Sequence, residues 1–284
     1  MKKAIKIISV LLAVVMLLGI TGCTTPAAPE NNSTEPTGNN TPAGKEINEM
    51  TGLIKDPTIL FLGDSITDGG RTDYSIKTYL GANHPKMVAD TLRRMFRDEN
   101  FTFYSTGVSG DTILDQYFRL QEDCFDLKPD YIIMMLGVND AWSGYRGRET
   151  FEIGYRAVLD QIIANTDAKI ILIQPYLLTA DDKMQSLCVI PNVNSYRASV
   201  DEIGDVVCTL AAEYKLDVIY LPEILEQQHQ KGFTYYQLAV DAIHPTSITA
   251  AIMAEQIILK LGVKGFVPAY GEFDTSASAA KYEK

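Results

Sequence analysis

The fold is decided by the stretch TILFLGDS at residues 58–65, where a continuous apolar run leads directly into glycine, aspartate and serine. An apolar run of this length is typical of a strand that is buried on both faces of a parallel sheet. Similar runs predict four further strands, at residues 101–105, 131–136, 169–174 and 217–221. Amphipathic stretches between them predict helices over residues 84–100, 111–123, 149–165, 194–214 and 247–261. Strands and helices that alternate in this way connect by right-handed crossovers, so the sequence predicts one three-layer α/β/α domain.

The composition indicates a globular protein and excludes several classes. Of 284 residues, 46% are hydrophobic and 21% are charged, which excludes a disordered chain, a collagen-like repeat and a small disulfide scaffold. The formal net charge of −11 repels phosphate backbones, so we expect no nucleic-acid partner. With three histidines in the whole chain we expect no metal site, and no motif indicates a cofactor. Composition leaves the oligomeric state open.

The N-terminus has the pattern of a bacterial export signal. A basic start at residues 1–6 is followed by an apolar segment at 7–20, which is short for a membrane span. The sequence Ile20-Thr21-Gly22-Cys23 resembles the lipobox of bacterial lipoproteins, which implies cleavage before Cys23 and lipidation of its thiol. We therefore expect a signal peptide at 1–22 and a lipid-anchored protein outside the cytoplasmic membrane. An uncleaved anchor helix is the alternative.

The rest of the chain divides into a tether, a body and a tail. Residues 23–54 are rich in Thr, Pro, Asn and Gly, which predicts a flexible tether. Residues 55–270 hold all the predicted strands and helices and form the folded domain. The polar residues 271–284 predict a frayed C-terminal tail.

Three cysteines remain after the lipobox. Cys124 and Cys208 lie among apolar residues in helical patterns, which favours buried free thiols. The spacings fit no zinc motif. A disulfide between Cys188 and Cys208 stays open at this point.

The carboxyl ends of parallel strands are where ligands gather in such folds. Three predicted strands lead into polar or glycine-rich clusters, and a fourth cluster precedes the last helix; they are residues 63–70, 106–111, 137–140 and 241–245. We expect all four to converge on one rim of the sheet.

The clusters hold the residues of a nucleophilic triad. A serine at a glycine-flanked turn needs an adjacent base, because its own pKa is too high for attack. His244 is the best candidate base for Ser65, since His84 lies in an early loop before proline and His229 in a polar run. Asp241, three residues upstream, is placed to hold the imidazole in the right tautomer.

The same clusters offer donors for a developing oxyanion. The backbone N–H groups of Ser65 and Gly110 and the side-chain amide of Asn139 supply three. The sequence therefore predicts an acyl-transfer site. An aspartyl phosphatase built on Asp64 is disfavoured, because Ile66 occupies the position of the second carboxylate.

Four blocks of the sequence resemble those of the SGNH (GDSL) hydrolase superfamily, in the same order; they are Gly63-Asp64-Ser65, Gly110, Gly137-Val138-Asn139-Asp140 and Asp241-Ala242-Ile243-His244. The resemblance implies a flavodoxin-like five-stranded sheet of order 2-1-3-4-5 and the same assignment of nucleophile, oxyanion donors and triad. Ser105 departs from the pattern, since many members carry Asn there. The stretches 68–71 and 139–142 look most like members of the acetylxylan esterase type.

The favoured function is a serine esterase that removes small acyl groups, mainly acetyl, from a polysaccharide. A lysophospholipase or lipase on the same fold, and a non-catalytic carbohydrate-binding lipoprotein, remain as alternatives. Asp64, Arg71 and Trp142, together with Tyr145, are candidates for lining the substrate site, and a structural role is the alternative for each.

Overall fold

The computed structural model describes residues 44–142 and 147–283. The predicted signal peptide, Cys23 and most of the tether lie outside the described residues. Within them, no helix is both long enough and apolar enough to cross a membrane.

A five-stranded parallel sheet forms the centre of the domain, and its order β2-β1-β3-β4-β5 confirms the predicted one. The strands are β1 (Thr58–Gly63), β2 (Thr102–Ser105), β3 (Tyr131–Met135), β4 (Lys169–Ile173) and β5 (Asp217–Ile219). Ile59 of β1 lies opposite Phe103 of β2 and Tyr131 of β3, which fixes the register at the middle of the sheet. Every strand boundary agrees with the sequence-based prediction to within two residues.

Eleven α-helices are found in the described residues. They are α1 (Ser65–Asp68), α2 (His84–Met95), α3 (Ile113–Asp123), α4 (Val138–Trp142), α5 (Arg148–Asn165), α6 (Asp182–Leu187), α7 (Arg197–Tyr214), α8 (Leu221–Gln230), α9 (Tyr235–Leu238), α10 (Ser247–Leu261) and α11 (Ser276–Tyr282). The predicted helix over 84–100 ends early, at Met95, because the chain turns at Phe96 and packs its ring against Phe101 at the start of β2. The short helices α1, α4, α6 and α9 were not predicted, and neither was α8, the ten-residue helix that follows β5.

Side chains of the sheet alternate between two apolar layers. Ile59 and Phe61 face a layer that includes residues of α2, α8 and α10, and Leu60 and Leu62 face one built with α3, α5 and α7. Cys208 is buried in the second layer, and Cys188 packs against the first. The sheet separates them, so both are free thiols and the open disulfide is not formed.

The folded body begins earlier than the predicted residue 55. Leu53 and Ile54 are fully buried, and Ile54 pairs with Ile47 in an antiparallel bridge. The Ile54 backbone N–H donates to the Tyr131 hydroxyl at 2.9 Å, which ties this segment to β3. The predicted flexible tether is therefore wrong for residues 46–54.

The C-terminal tail is helical over α11 rather than frayed. Tyr282 stacks on Tyr220 with their rings 7° from parallel, and its hydroxyl donates to the Asp205 carboxylate. The polar composition concealed this helix, because one aromatic residue supplies its main contact with the domain.

Candidate active site

The nucleophile candidate Ser65 is the first residue of α1, directly after β1. The Asp64 side chain caps this helix by accepting the Ile66 N–H at 2.9 Å. Gly63 is required before it, because any Cβ there would collide with the side chain of Thr67. Gly69, at φ +62°, ends the helix after one turn. Ser65 is left half-buried at the carboxyl edge of the sheet.

Ser65, His244 and Asp241 form one hydrogen-bonded chain. The Ser65 Oγ lies 2.9 Å from His244 Nε2, and His244 Nδ1 lies 2.8 Å from Asp241 Oδ2. The other Asp241 oxygen accepts the backbone N–H groups of His244, at 2.8 Å, and Ile243, at 3.2 Å. Ala242 adopts φ +70°, which lets the chain turn back so that these bonds form. The carboxylate and the imidazole are thus fixed by the local backbone.

The hydrogen bond between Asp241 and His244 shifts the pKa of each residue. The hydrogen bond to Asp241 raises the pKa of His244 above its ordinary value, and burial opposes this only in part. Burial pushes the pKa of Asp241 upward, but the hydrogen bonds from His244 outweigh it and hold that pKa below its ordinary value. Asp241 therefore stays ionised near neutral pH and favours the tautomer whose Nε2 can accept a proton from serine.

The predicted oxyanion donors come to the same edge. Gly110 is exposed, with φ +91°, and its backbone N–H makes no hydrogen bond within the described part of the chain. The Ser65 N–H stands at the start of α1, where no helical acceptor exists for it. The Asn139 side-chain amide donates one hydrogen to the Asp111 carbonyl at 2.9 Å, which leaves its second hydrogen to donate elsewhere.

Asp140 was not predicted as a site residue, yet it anchors the start of α3, three residues after Gly110. Both of its carboxylate oxygens lie 3.2 Å from the Ile113 backbone N–H, at the first residue of α3. Burial raises the pKa of Asp140 to about 7, and the nearby Asp64 adds to the rise. The pair Asn139–Asp140 thus joins the end of β3 to the start of α3. The motif itself was visible in the sequence, but its partner residue was not.

Two of the predicted substrate-lining residues are buried instead. Asp64 is 1% exposed and caps α1, and burial raises its pKa to about 7. Arg71 is 5% exposed, and its guanidinium donates to the backbone carbonyls of Ser105 and Gly107. Neither side chain is accessible to a substrate, so the prediction is corrected for both.

Trp142 is half-buried, with its ring edge-to-face against Tyr196 at 6.2 Å. Tyr145 lies outside the described residues.

The loop that carries Asp241 is contacted by the segment around Cys188, which no sequence pattern links to it. The Cys188 thiol lies 2.7 Å from the Asp241 backbone carbonyl. Leu187 and Val189, on either side of this cysteine, are exposed. No group of three or more His, Cys, Asp or Glu side chains within residues 44–142 and 147–283 is arranged to hold a metal ion.

A family model and two known proteins match this chain. The model of the GDSL-like Lipase/Acylhydrolase family matches residues 61–252, which include all three residues of the hydrogen-bonded chain. An acetylxylan esterase of Geobacillus stearothermophilus is 26% identical over 215 residues, which cover 72% of this chain and 93% of the relative. An uncharacterized lipoprotein of Bacillus subtilis, YqeF, is 34% identical over 83 residues, which cover 29% of this chain and 32% of the relative.

Solved structures share the fold. The acetylxylan esterase Axe2 of Geobacillus stearothermophilus aligns with a TM-score of 0.63 and 23% identity, over 77% of this chain and 97% of that one. LAE5, an α/β hydrolase enzyme from the metagenome of Lake Arreo in Spain, aligns with a TM-score of 0.63 and 24% identity, over 73% and 96% of the two chains.

Proposed function

The chain belongs to the GDSL-like lipase/acylhydrolase family and is a carboxylic ester hydrolase, and from this we propose that it removes acetyl groups from a polysaccharide through an acyl-enzyme on Ser65. The observation that carries the proposal is the unbroken chain from Asp241 through His244 to Ser65, with contacts of 2.8 and 2.9 Å. A nucleophile within hydrogen-bond reach of a base, which is itself held by a third group, is the arrangement that activates serine.

In the proposed reaction His244 moves one proton in each half. Its Nε2 takes the Ser65 hydroxyl proton as Oγ bonds to the ester carbonyl carbon. When the tetrahedral intermediate collapses, the bond to the alcohol oxygen breaks, and that oxygen takes the proton from His244. Water then attacks the acyl-enzyme and gives its proton to the same nitrogen. Release of the acid returns that proton to Ser65.

The oxyanion of each intermediate is bound by the N–H groups of Ser65 and Gly110 and by the free amide hydrogen of Asn139. These donors are fixed before reaction, Asn139 by its bond to the Asp111 carbonyl. Donors that need no reorganisation stabilise a developing charge more than a neutral carbonyl, so they lower the barrier to turnover.

An acetylated polysaccharide is the substrate that the comparisons support best. The relative named acetylxylan esterase is aligned over 93% of its length. Leu187 and Val189 are exposed on either side of Cys188, which contacts the Asp241 carbonyl, and they favour a second candidate, a lipase-type esterase for longer acyl chains. A series of p-nitrophenyl esters from two to twelve carbons, with acetylated xylan and peptidoglycan beside it, separates the two. We expect a maximum of kcat/KM at two carbons and acetate release from xylan.

One variant, Ser65→Ala, distinguishes an esterase from a carbohydrate-binding protein without activity. Ser65→Ala is expected to abolish hydrolysis of p-nitrophenyl acetate and to leave the melting midpoint nearly unchanged, because a half-buried hydroxyl is all that is lost. A wild-type protein that binds glycan but hydrolyses no ester would favour the carbohydrate-binding lipoprotein.

We further propose that the mature protein is lipid-anchored at Cys23 outside the cytoplasmic membrane. The lipobox pattern supports this, as does the partial similarity to a lipoprotein of Bacillus subtilis. The wild-type protein is expected in the membrane fraction with its N-terminus at Cys23, and Cys23→Ala is expected to leave the leader uncleaved or to release the protein. A wild-type N-terminus still at Met1 would contradict the proposal.

A further inference from the structure

The stretch Asp68–Arg71 takes no part in the proposed chemistry, yet it holds a buried cation close to the site. Taken without its backbone, the Arg71 side chain is only 1% exposed. We propose that Arg71 is a positioning residue, whose guanidinium fixes the oxyanion turn (residues 107–111) on the helix that carries Ser65. The proposal rests on the proposed esterase function and assigns no contact between Arg71 and substrate.

The guanidinium of Arg71 joins three acceptors on two segments. One terminal nitrogen donates to the Ser105 carbonyl, at the end of β2, and the other donates to the Gly107 carbonyl, at the start of the oxyanion turn. Its Nε donates to Asp68 Oδ1 at 3.2 Å, at the end of α1. The rigid fork of donors suits this task, since a lysine ammonium has no comparable planar fork.

The oxyanion turn rests directly on α1. A Cβ built at Gly107 would lie 2.8 Å from the Asp68 nitrogen and 3.0 Å from the Asp64 carbonyl oxygen, so the backbones are in close contact. The Val108 N–H donates to the Gly63 carbonyl at 3.1 Å, beside the nucleophile. The position of the Gly110 N–H relative to the Ser65 N–H is therefore set by how the turn is seated. Arg71 holds the first residue of the turn, Gly107, whereas Asn139 and Arg119 hold its last residue, Asp111.

Two neighbouring cations, Lys77 and Arg119, are already held by carboxylates, and Arg119 pairs with Asp111 and Asp123. Lys77, on the same connection, is engaged with Asp123 at 3.1 Å. Tyr74 covers the guanidinium with its ring, 5.2 Å from centroid to Cζ, and bonds no carbonyl of the turn. Without Arg71, the carbonyls of Ser105 and Gly107 lose the side-chain donor that ties them to Asp68, and the turn can shift. A displacement of about 1 Å at a catalytic group can cost about a hundredfold in rate.

The test compares Arg71→Lys with a control that weakens the fold elsewhere. Leu225→Ala is suitable, because Leu225 is fully buried on α8, which follows the strand at the opposite edge of the sheet from β2. For each full-length protein, kcat and KM for p-nitrophenyl acetate are measured below the melting midpoint. The inhibition constant of a trifluoromethyl ketone, which forms a tetrahedral oxyanion on serine, is measured alongside.

For Arg71→Lys we expect kcat to fall about ten- to a hundredfold with KM changed less than twofold. The inhibition constant of the ketone should rise by the same factor, because the loss is confined to the charged tetrahedral state. Leu225→Ala should lower the midpoint and leave kcat and the inhibition constant unchanged. An Arg71→Lys protein with a lower midpoint, but with wild-type kcat and ketone affinity, would overturn the proposal.

If Arg71→Lys does not fold, Asp68→Asn provides the second test, since it keeps the guanidinium and removes the charge that holds its Nε. A smaller loss in kcat is expected, matched again by ketone affinity, and an unchanged kcat would overturn the proposal. The esterase function and the positioning role of Arg71 are contradicted by different results. Hydrolysis that persists in Ser65→Ala defeats the proposed function, whereas hydrolysis that needs Ser65 but ignores Arg71→Lys and Asp68→Asn defeats only the role of Arg71.

Discussion

At the scale of single residues, the proposed activity depends on how His244 is held. Its Nε2 lies 2.9 Å from the Ser65 hydroxyl, and its Nδ1 lies 2.8 Å from the Asp241 carboxylate. The carboxylate raises the pKa of the imidazole, and the imidazole must be neutral to accept the serine proton. The rate of hydrolysis should therefore rise with pH through the pKa of His244.

Asp241→Asn is predicted to move this rise to lower pH. An amide cannot stabilise imidazolium, so the pKa of His244 falls and the base becomes neutral earlier in a titration. The plateau of kcat/KM should be lower than in wild type, because the amide also fails to hold the productive tautomer. The profile of kcat/KM from pH 4 to 9 measures both effects. An acid limb that stays in place, or moves to higher pH, would contradict the assignment.

Asn139→Ala is predicted to lower kcat by about 10²–10³ with little change in KM, because an oxyanion donor is lost. If Asn139 had only a local structural role outside the oxyanion site, its loss would cost about 1 kcal/mol of stability with kcat intact. Measuring kcat and the melting midpoint on one preparation decides between these roles.

At the scale of elements, the start of α3 connects the oxyanion turn to β3. The helix has its own capping box between Thr112 and Asp115, and Asp140 adds an acceptor for Ile113 from outside the helix. Asp140 is buried with a pKa raised to about 7, so the folded protein keeps a proton that the unfolded chain has released above its ordinary pKa of 3.8. By linkage, this group's contribution to stability falls as pH rises between these two values.

Asp140→Asn is predicted to reduce the fall in stability with rising pH. The asparagine side-chain oxygen can still accept the Ile113 N–H, and an amide cannot ionise. The melting midpoint of the variant, relative to wild type, should be higher at pH 8 than at pH 5. Thermal melts at both values test this. A difference in midpoint that is the same at both pH values would show that Asp140 does not titrate between them.

At the scale of the whole molecule, the domain includes a segment that the sequence places in a tether. Leu53 and Ile54 are fully buried, and burying side chains of this size is worth about 1.5–3 kcal/mol each. A protein that starts at residue 56 is therefore predicted to unfold at a lower urea concentration than one that starts at residue 44, with a loss of about 3–6 kcal/mol as an upper value. Equal urea midpoints would show that the segment adds nothing to the domain.

Sequence patterns predicted the sheet well, because β1, β3 and β4 are apolar runs buried on both faces and the order follows from the family resemblance. They placed Ser65, Asp241 and His244 correctly at one edge, since strand ends converge there. They did not predict the burial of Leu53 and Ile54, because these two apolar residues stand among polar ones. They also failed for Arg71, because its burial depends on two carbonyls at residues 105 and 107, and no local pattern shows such a partner.

Covalent labelling identifies the nucleophile itself, which the proposed function assigns to Ser65. The wild-type protein is treated with a fluorophosphonate, and the modified peptide is identified by mass spectrometry. We predict one adduct, on the hydroxyl of Ser65, which is absent in Ser65→Ala and forms far more slowly in His244→Ala. An adduct on Ser109, or a protein that hydrolyses esters yet takes up no label, would contradict the account.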